Sequence, residues 1–200
     1  MCRLKFYWRC HFWQSLSGWQ FLDEMFHTQA HISSHINDYK TNKTNEIEGH
    51  QMSDKDNYQF ALAEAKKGRA AGGIPIGGAL VVDGKVIAVG HNQRVQQGSA
   101  IHHAEMNCLE NAGRLPATVY QRATMYTTLS PCDMCTGAIL LYKIPRVVIG
   151  ENRTFLGGEA LLKSRGVEVI VLDDAESYKL MQDFIVAEPT LWNEDIGEED

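Results

Sequence analysis

The sequence reads as an α/β protein, a three-layer α/β/α sandwich built on a mixed sheet of about five strands. Across residues 124–188 strand-like and helix-like stretches alternate, the pattern of parallel strands covered by helices on both faces. Ahead of them, two strand-like stretches flank Asp83-Gly84. That dipeptide favours a two-residue hairpin turn because both positions take positive φ, so the sheet starts with an antiparallel pair. The apolar fraction of 44% is ordinary for a globular core.

The elements follow in order. Ser53 or Asp54 can cap a helix over residues 54–70, with Tyr58, Leu62 and Ala65 at helical spacing and Gly72-Gly73 as the stop. Beyond Pro75, residues 79–82 and 85–89 are the hairpin strands, and Gly90-His91-Asn92 leaves the second of them as a loop. Residues 102–112 read as a helix closed by Gly113, and residues 124–129 as a strand rich in β-branched and aromatic side chains. Pro131 suits the first turn of a helix reaching residue 143, where Ile144-Pro145 breaks it. Residues 146–150 form a short apolar strand, and residues 158–165 a helix ended by Gly166. Residues 167–172, nearly all apolar, read as a strand buried on both faces. Asp173 or Asp174 caps a helix to residue 188 with a stripe of Leu180, Met181, Phe184 and Ile185. Pro189 restarts the chain, and Leu191-Trp192 lead into an acidic end.

Residues 1–51 are different in kind. They hold Trp8, Trp13 and Trp19 and five histidines, yet no strand or helix period organises them. Residues 31–49 are polar and rich in Asn, Thr and Ser, the composition of a disordered linker. We therefore expect residues 1–51 to be an extension, either disordered or an upstream addition to the reading frame, and residues 52–200 to be the functional domain. Arg3, Lys5 and Arg9 without an acid in residues 1–22 leave a mitochondrial presequence as an alternative to a cytoplasmic, or also nuclear, location.

The formal charge of −6 and a pI near 5.7 argue against a nucleic-acid surface. From residue 52 onward Lys and Arg number 14 against 20 Asp and Glu, and from Asp183 on every charge is acidic. No apolar run approaches the roughly 18 residues of a membrane helix, so neither nucleic acid nor a membrane is an expected partner. The five cysteines are an odd count, which suits reduced or metal-bound thiols.

The chemistry concentrates in Ser130-Pro131-Cys132-Asp133-Met134-Cys135 and His103-Ala104-Glu105. Two cysteines at i and i+3 share one face of a helix, near the N-terminus whose dipole favours thiolate. A histidine two residues before a glutamate supplies a third ligand and an acid that need not bind metal. Three ligands leave zinc a position for water, whereas a structural site is closed by four. Cys108 is the one obvious fourth ligand for a structural site, but five positions after His103 it faces another side of that helix. His103 is preferred to His102 because one residue between ligand and acid lets the acid reach the water beside the metal. Glu105 is then the proton carrier.

This pair of motifs resembles the H-x-E…P-C-x-x-C signature of the zinc deaminases that act on nucleobases. Within that superfamily, Gly73-Ile74-Pro75-Ile76-Gly77-Gly78, Gly90-His91-Asn92, the run from Tyr126 through Ala138, Gly150-Glu151-Asn152 and Trp192-Asn193-Glu194-Asp195-Ile196-Gly197-Glu198 look like the fungal cytosine deaminases. The resemblance covers residues 53–198. It implies a cytidine deaminase-like fold, one catalytic zinc per subunit and a homodimer. It also implies hydrolysis of cytosine, and of 5-fluorocytosine, to the uracil and ammonia in pyrimidine salvage. Carried over by position, His103, Cys132 and Cys135 are the zinc ligands and Glu105 the proton shuttle. Asn92 hydrogen-bonds the pyrimidine, and Asp195 reaches the exocyclic amine. Ser130 and the Ala104 backbone are polar groups of the pocket. Phe155 and Trp192 are aromatic walls, and Ile76 and Leu129 apolar lining. Ala104 departs from the glycine of the fungal enzymes, although alanine keeps the backbone N–H. His102 and Asn193 replace an apolar and an aromatic residue.

Three rivals remain at this level. A transfer-RNA or single-strand deaminase would carry a basic groove, which the acidic balance disfavours. A nucleoside or guanine deaminase depends on whether the segment from Trp192 to Asp195 leaves room for a ribose or a purine. A non-catalytic zinc scaffold has no need of Glu105.

Overall fold

A computed structural model describes residues 52–198. The extension, with its linker and presequence readings, lies outside the described residues.

The first helix, α1 (Asp54–Ala70), starts at the N-cap Ser53, whose hydroxyl accepts from Asp56 N–H while the Asp56 carboxylate takes Ser53 N–H at 3.1 Å. This reciprocal cap satisfies two donors that a helix start leaves open. The hairpin follows as β1 (Gly77–Val82) and β2 (Lys85–His91), with Asp83 and Gly84 at φ 50° and 76° as the dipeptide requires. Next come α2 (Arg94–Gln97), α3 (Ala104–Ala112) and α4 (Ala117–Tyr120), then β3 (Ala123–Leu129) and α5 (Asp133–Leu141). The chain closes with β4 (Arg146–Glu151), α6 (Glu159–Ser164), β5 (Glu168–Val171), α7 (Ala175–Ala187) and α8 (Pro189–Ile196).

The five strands lie in the order β2-β1-β3-β4-β5. β1 pairs antiparallel with both β2 and β3, whereas β3, β4 and β5 are parallel. The two-residue side-chain period sorts the core onto two faces. Leu80, Val82, Met125, Val147 and Ile149 face Cys108, Leu109, Ile139 and Leu162 of α3, α5 and α6. Ala79, Val81, Tyr126 and Val148, their neighbours in sequence, face Tyr58, Ala61 and Leu62 of α1. The expected α/β/α sandwich follows from this alternation.

Two glycines let the helices sit close. A Cβ on Gly77 would stand 2.0 Å from Ala61 O of α1, and one on Gly90 would stand 2.5 Å from Cys108 N of α3. Backbone cannot yield as a side chain can, so neither position admits a larger residue without moving a helix.

Several expectations need correction. Helix α3 begins at Ala104, because His103 is extended (ψ 164°) and serves as N-cap. Helix α5 begins at Asp133, with Cys132 as N-cap, so Pro131 precedes the helix. The Pro131 carbonyl accepts from Gly158 N–H and the Thr136 hydroxyl, which holds the chain extended until Cys132. The fifth strand is not buried on both faces. It is the outermost of the parallel strands, with Glu168 exposed and the rest half-buried. The acidic end that Pro189 restarts, which the sequence left without an assigned element, is a helix with proline in its first turn. Its Trp192, Leu191 and Ile196 pack with Ile74, Ile76, Met181 and Phe184. The single-turn α2 and α4 had no period long enough to detect. Among the described residues no helix is long and apolar enough to cross a membrane.

Because β1 runs opposite to β3 and β4, the start of β1 and the ends of β2, β3 and β4 share one edge of the sheet. Ile76, Asn92, Ser130 and Asn152 all leave strands at that edge.

Candidate active site

At that edge two helices begin beside each other. His103 caps α3 and Cys132 caps α5, and Cys135 lies one turn into α5. The ligand atoms of His103, Cys132 and Cys135 lie within 4.8 Å of one another, the group among the described residues that can hold a metal ion. The donor set fits zinc, since two sulfurs and an imidazole match its preference and three ligands leave one position open. Cys108 stands apart, buried with its Sγ toward Ala88 O at 3.5 Å. His102 stands apart as well, on Gln97 Oε1 at 2.7 Å.

The His103 ring is oriented by its two nitrogens. Nδ1 lies 3.5 Å from Cys132 Sγ, and Nε2 faces Asp195 Oδ1 at 3.7 Å. A carboxylate on the far nitrogen keeps the proton there and leaves Nδ1 for the metal. The Cys132 thiol is pulled down to about 4, first by the hydrogen bond from Cys135 and then by His103, against the opposing effect of burial. The same bond, with burial, pushes Cys135 well up. A metal held by this group would replace the shared proton, leaving both sulfurs as thiolates.

Glu105 is the second residue of α3 and is 3% exposed. Its Oε1 accepts the Thr127 hydroxyl of β3 at 2.9 Å. Burial raises its carboxyl above the ordinary range, and the negative sulfur of Cys132 adds to this. Such a group takes up a proton more readily than a surface glutamate.

Ile76, Leu129, Ser130, Phe155, Trp192 and Asp195 line one cavity together with His103, Glu105 and Cys132. Asn92, Ala104 and Cys135 are fully buried just behind its wall. The Phe155 and Trp192 rings meet edge to face, 6.3 Å apart at 85°. The free volume is ≈ 20 Å³, space for about one water.

The polar members are tied more tightly than their positions in sequence indicate. The Ser130 hydroxyl donates to Glu159 Oε1 at 3.0 Å and accepts Gly157 N–H at 3.1 Å, so its one proton points away from a ligand. Ala104 is the first residue of α3, where a helix leaves the N–H without an internal partner. Asn92 Oδ1 accepts Arg94 N–H at 3.0 Å, and its Nδ2 donates to Asp195 Oδ1 at 2.9 Å. Sequence reasoning passed over Ile196 in the lining, Thr127 on Glu105, Glu159 under Ser130 and Arg94 on Asp195. None of the four belongs to a metal-ligand spacing, although Ile196 directly follows Asp195, and Arg94 and Thr127 stand two residues from Asn92 and Leu129.

Comparison with known proteins places the chain among relatives. Residues 51–151 match the family described as the cytidine and deoxycytidylate deaminase zinc-binding region. A cytosine deaminase of Candida albicans is 58% identical over 146 residues, 72% of this chain and 97% of that protein. A tRNA-specific adenosine deaminase of Bacillus subtilis is 43% identical over 91 residues, 45% of this chain and 56% of that protein. Among solved structures, one from a study of tRNA:A34 deaminases superposes with a TM-score of 0.54 at 28% identity, covering 63% of this chain and 99% of the other. A guanine deaminase of Nitrosomonas europaea shares the fold at a TM-score of 0.57 and 23% identity, covering 71% of this chain and 89% of the other.

Proposed function

The chain belongs to the family of zinc-binding cytidine and deoxycytidylate deaminases, and from that membership we propose that it hydrolyses cytosine to uracil and ammonia, and 5-fluorocytosine likewise. The observation that carries this reading is the position of α8. Trp192, Asp195 and Ile196 of that helix form part of the cavity wall. They narrow that cavity to about one water's volume, so α8 must shift to admit a base and further still for a nucleoside or a strand. The likeness to the Candida albicans protein, which spans 97% of that protein, supports the same substrate.

His103, Cys132 and Cys135 would hold the zinc. When bound at such a three-ligand site, zinc acidifies a water and so supplies the nucleophile at neutral pH. Glu105 would take a proton from the attacking water and deliver it to ring N3 to make C4 electrophilic; it would then carry the hydroxyl proton of the C4 adduct to the amine, which leaves as ammonia as the C4 carbonyl forms. Thr127 holds its carboxyl in place for both transfers. Asp195 accepts from the exocyclic amine, and the second Nδ2 proton of Asn92 reaches the ring. Phe155 and Trp192 form an aromatic corner that packs on the ring, with Ile76 and Leu129 as apolar lining. The Ala104 N–H binds a polar ring atom, and the fixed hydroxyl of Ser130 leaves its carbonyl as the group offered to substrate.

A homodimer is part of the proposal. Leu141 and Leu156, 73% and 68% exposed, with Leu161 on α6, are apolar surface that a second copy would cover. A cytoplasmic or nuclear place in pyrimidine salvage suits the free thiols of Cys108, Cys132 and Cys135 and a free-base product.

The test is ammonia release from cytosine, cytidine, guanine and a transfer-RNA anticodon stem, with Glu105→Ala as control. Cytosine turnover that the variant loses supports the proposal. Turnover of cytidine or the RNA without cytosine overturns it in favour of a nucleoside or RNA deaminase, the reading that the Bacillus subtilis relative would favour.

A further inference from the structure

We propose that Arg94 is a positioning residue that aims Asp195 and Asn92 at the substrate's exocyclic amine, and so sets recognition of the group that is removed. The proposal rests on the deaminase reading of the cavity.

Arg94 opens α2, outside the cavity lining. One residue holds both polar groups at the amine end. Its backbone N–H donates to Asn92 Oδ1, which fixes the amide so that Nδ2 faces Asp195. Its Nη1 donates to Asp195 Oδ1 at 3.0 Å and to the Glu194 carbonyl at 2.9 Å, which pins α8 by side chain and backbone together.

The charge arrangement explains why a guanidinium stands there. The Asp195 side chain is 2% exposed, and α8 with its flanks carries Glu188, Glu194 and Glu198 as well. A carboxylate so buried needs a cation or a full set of donors. Arg94, always charged, is the nearer partner of Asp195, with Nη1 at 3.0 Å against 3.7 Å for the His103 ring. The contacts from Asn92, Arg94 and His103 all fall on Oδ1. Oδ2 is thereby left to the cavity as an acceptor, and an amine donates while the carbonyl of the product does not. The Arg94 Nη1 serves both acceptors at once, which ties the Asp195 carboxylate to the Glu194 backbone.

Arg94 is also reachable from outside. It lines an open cavity of ≈ 330 Å³ with Glu194, Ser99 and Leu191, none of which lines the substrate cavity. Small guanidinium ions can therefore enter the space that a truncated side chain would leave.

The experiment uses the zinc-loaded full chain. Arg94→Ala should lower kcat/KM for cytosine about ten- to a hundredfold, the effect of losing a hydrogen bond between charged groups. Arg94→Lys should recover part of it. Binding of pyrimidin-2-one, the base without its amine, should change much less in both variants. Asp195→Asn should make the Arg94→Ala loss vanish in the double variant, and millimolar guanidinium should restore part of the turnover of Arg94→Ala alone. Equal weakening of pyrimidin-2-one, additive losses in the double variant, or undiminished cytosine turnover in Arg94→Ala would each overturn the proposal and leave Arg94 a tether for α8. Should Arg94→Ala fail to fold, Arg94→Lys carries the same comparison. If the parent releases no ammonia from cytosine, it is the substrate reading that fails. The Arg94 comparison is then made with the base that is deaminated and its own amine-free analogue.

Discussion

Cys132 and His103 cap the N-termini of two different helices, and the sulfur of one stands 3.5 Å from Nδ1 of the other. Both helices thus turn their positive ends and unpaired N–H groups toward the same point, where thiolates are favoured. The metal group needs no long loop to assemble it. It depends on α3 and α5 packing side by side against one face of the sheet.

Removal of zinc should therefore act on stability as well as turnover. With a chelator the protein should lose ammonia release and melt at a lower temperature, and added zinc should restore both. Zinc at a hundredfold over its dissociation constant contributes about 2.7 kcal/mol, and each ~1 kcal/mol is about 2–4 °C for a chain this size. Cys135→Ser should abolish both responses. A calorimetric scan unchanged by the chelator would show that no structural linkage exists.

Glu105→Gln keeps size and burial but cannot carry the proton. We expect turnover to fall by about 10²–10⁴, with zinc content and melting temperature close to the parent. The check is ammonia release beside metal analysis of the same sample. Retained turnover would assign the proton transfers elsewhere.

Glu159 should matter although it is itself neither a metal ligand nor part of the cavity lining. Its Oε1 accepts both the Ser130 hydroxyl and the Asn152 amide, and the residue is 5% exposed. Glu159→Ala should cost about 1.5–3 kcal/mol in urea unfolding and raise KM more than it lowers kcat, because the Ser130 turn loosens. An effect on kcat alone would contradict this role.

The pH dependence of stability should show the pair between Asp54 and Arg146. Both guanidinium Nη atoms bond the two carboxylate oxygens at 2.7 Å, and the Arg146 hydrogen bonds hold Asp54 below the usual carboxylate range despite burial. A lowered folded value means that its stabilisation is fully present above the unfolded value, near about 4. That stabilisation is lost as pH falls through the folded value. Asp54→Asn should then be less stable than the parent at pH 7, by about 1 kcal/mol, and the gap should close as the pH drops toward the folded value. A constant gap across the titration would exclude an ionic origin.

The chemistry was legible in the chain because it is local. Cys-x-x-Cys and His-x-Glu each fit within one turn, and each sits at a helix start that a cap or a proline marks. The Asp83-Gly84 turn and the short apolar run from Ala79 to Val82 beside it are equally local, since a positive φ and a strand of a few residues belong to neighbouring positions. Even so, local pattern misjudged the start of α5, where the Pro131 carbonyl is held by Gly158 and Thr136.

Tertiary structure alone decided strand order and closure. The apolar run 167–172 looks the same in the middle of a sheet as at its edge, and only its pairing with β4 as the outermost strand leaves it half-exposed. Asn92 and Asp195 meet across 103 positions of sequence. Neither periodicity nor capping records such a contact, because it exists only after α8 has buried Trp192 against Ile74, Ile76 and Phe184. Short-range backbone preferences therefore placed the metal ligands and the acid, and long-range packing placed the residues that face the base.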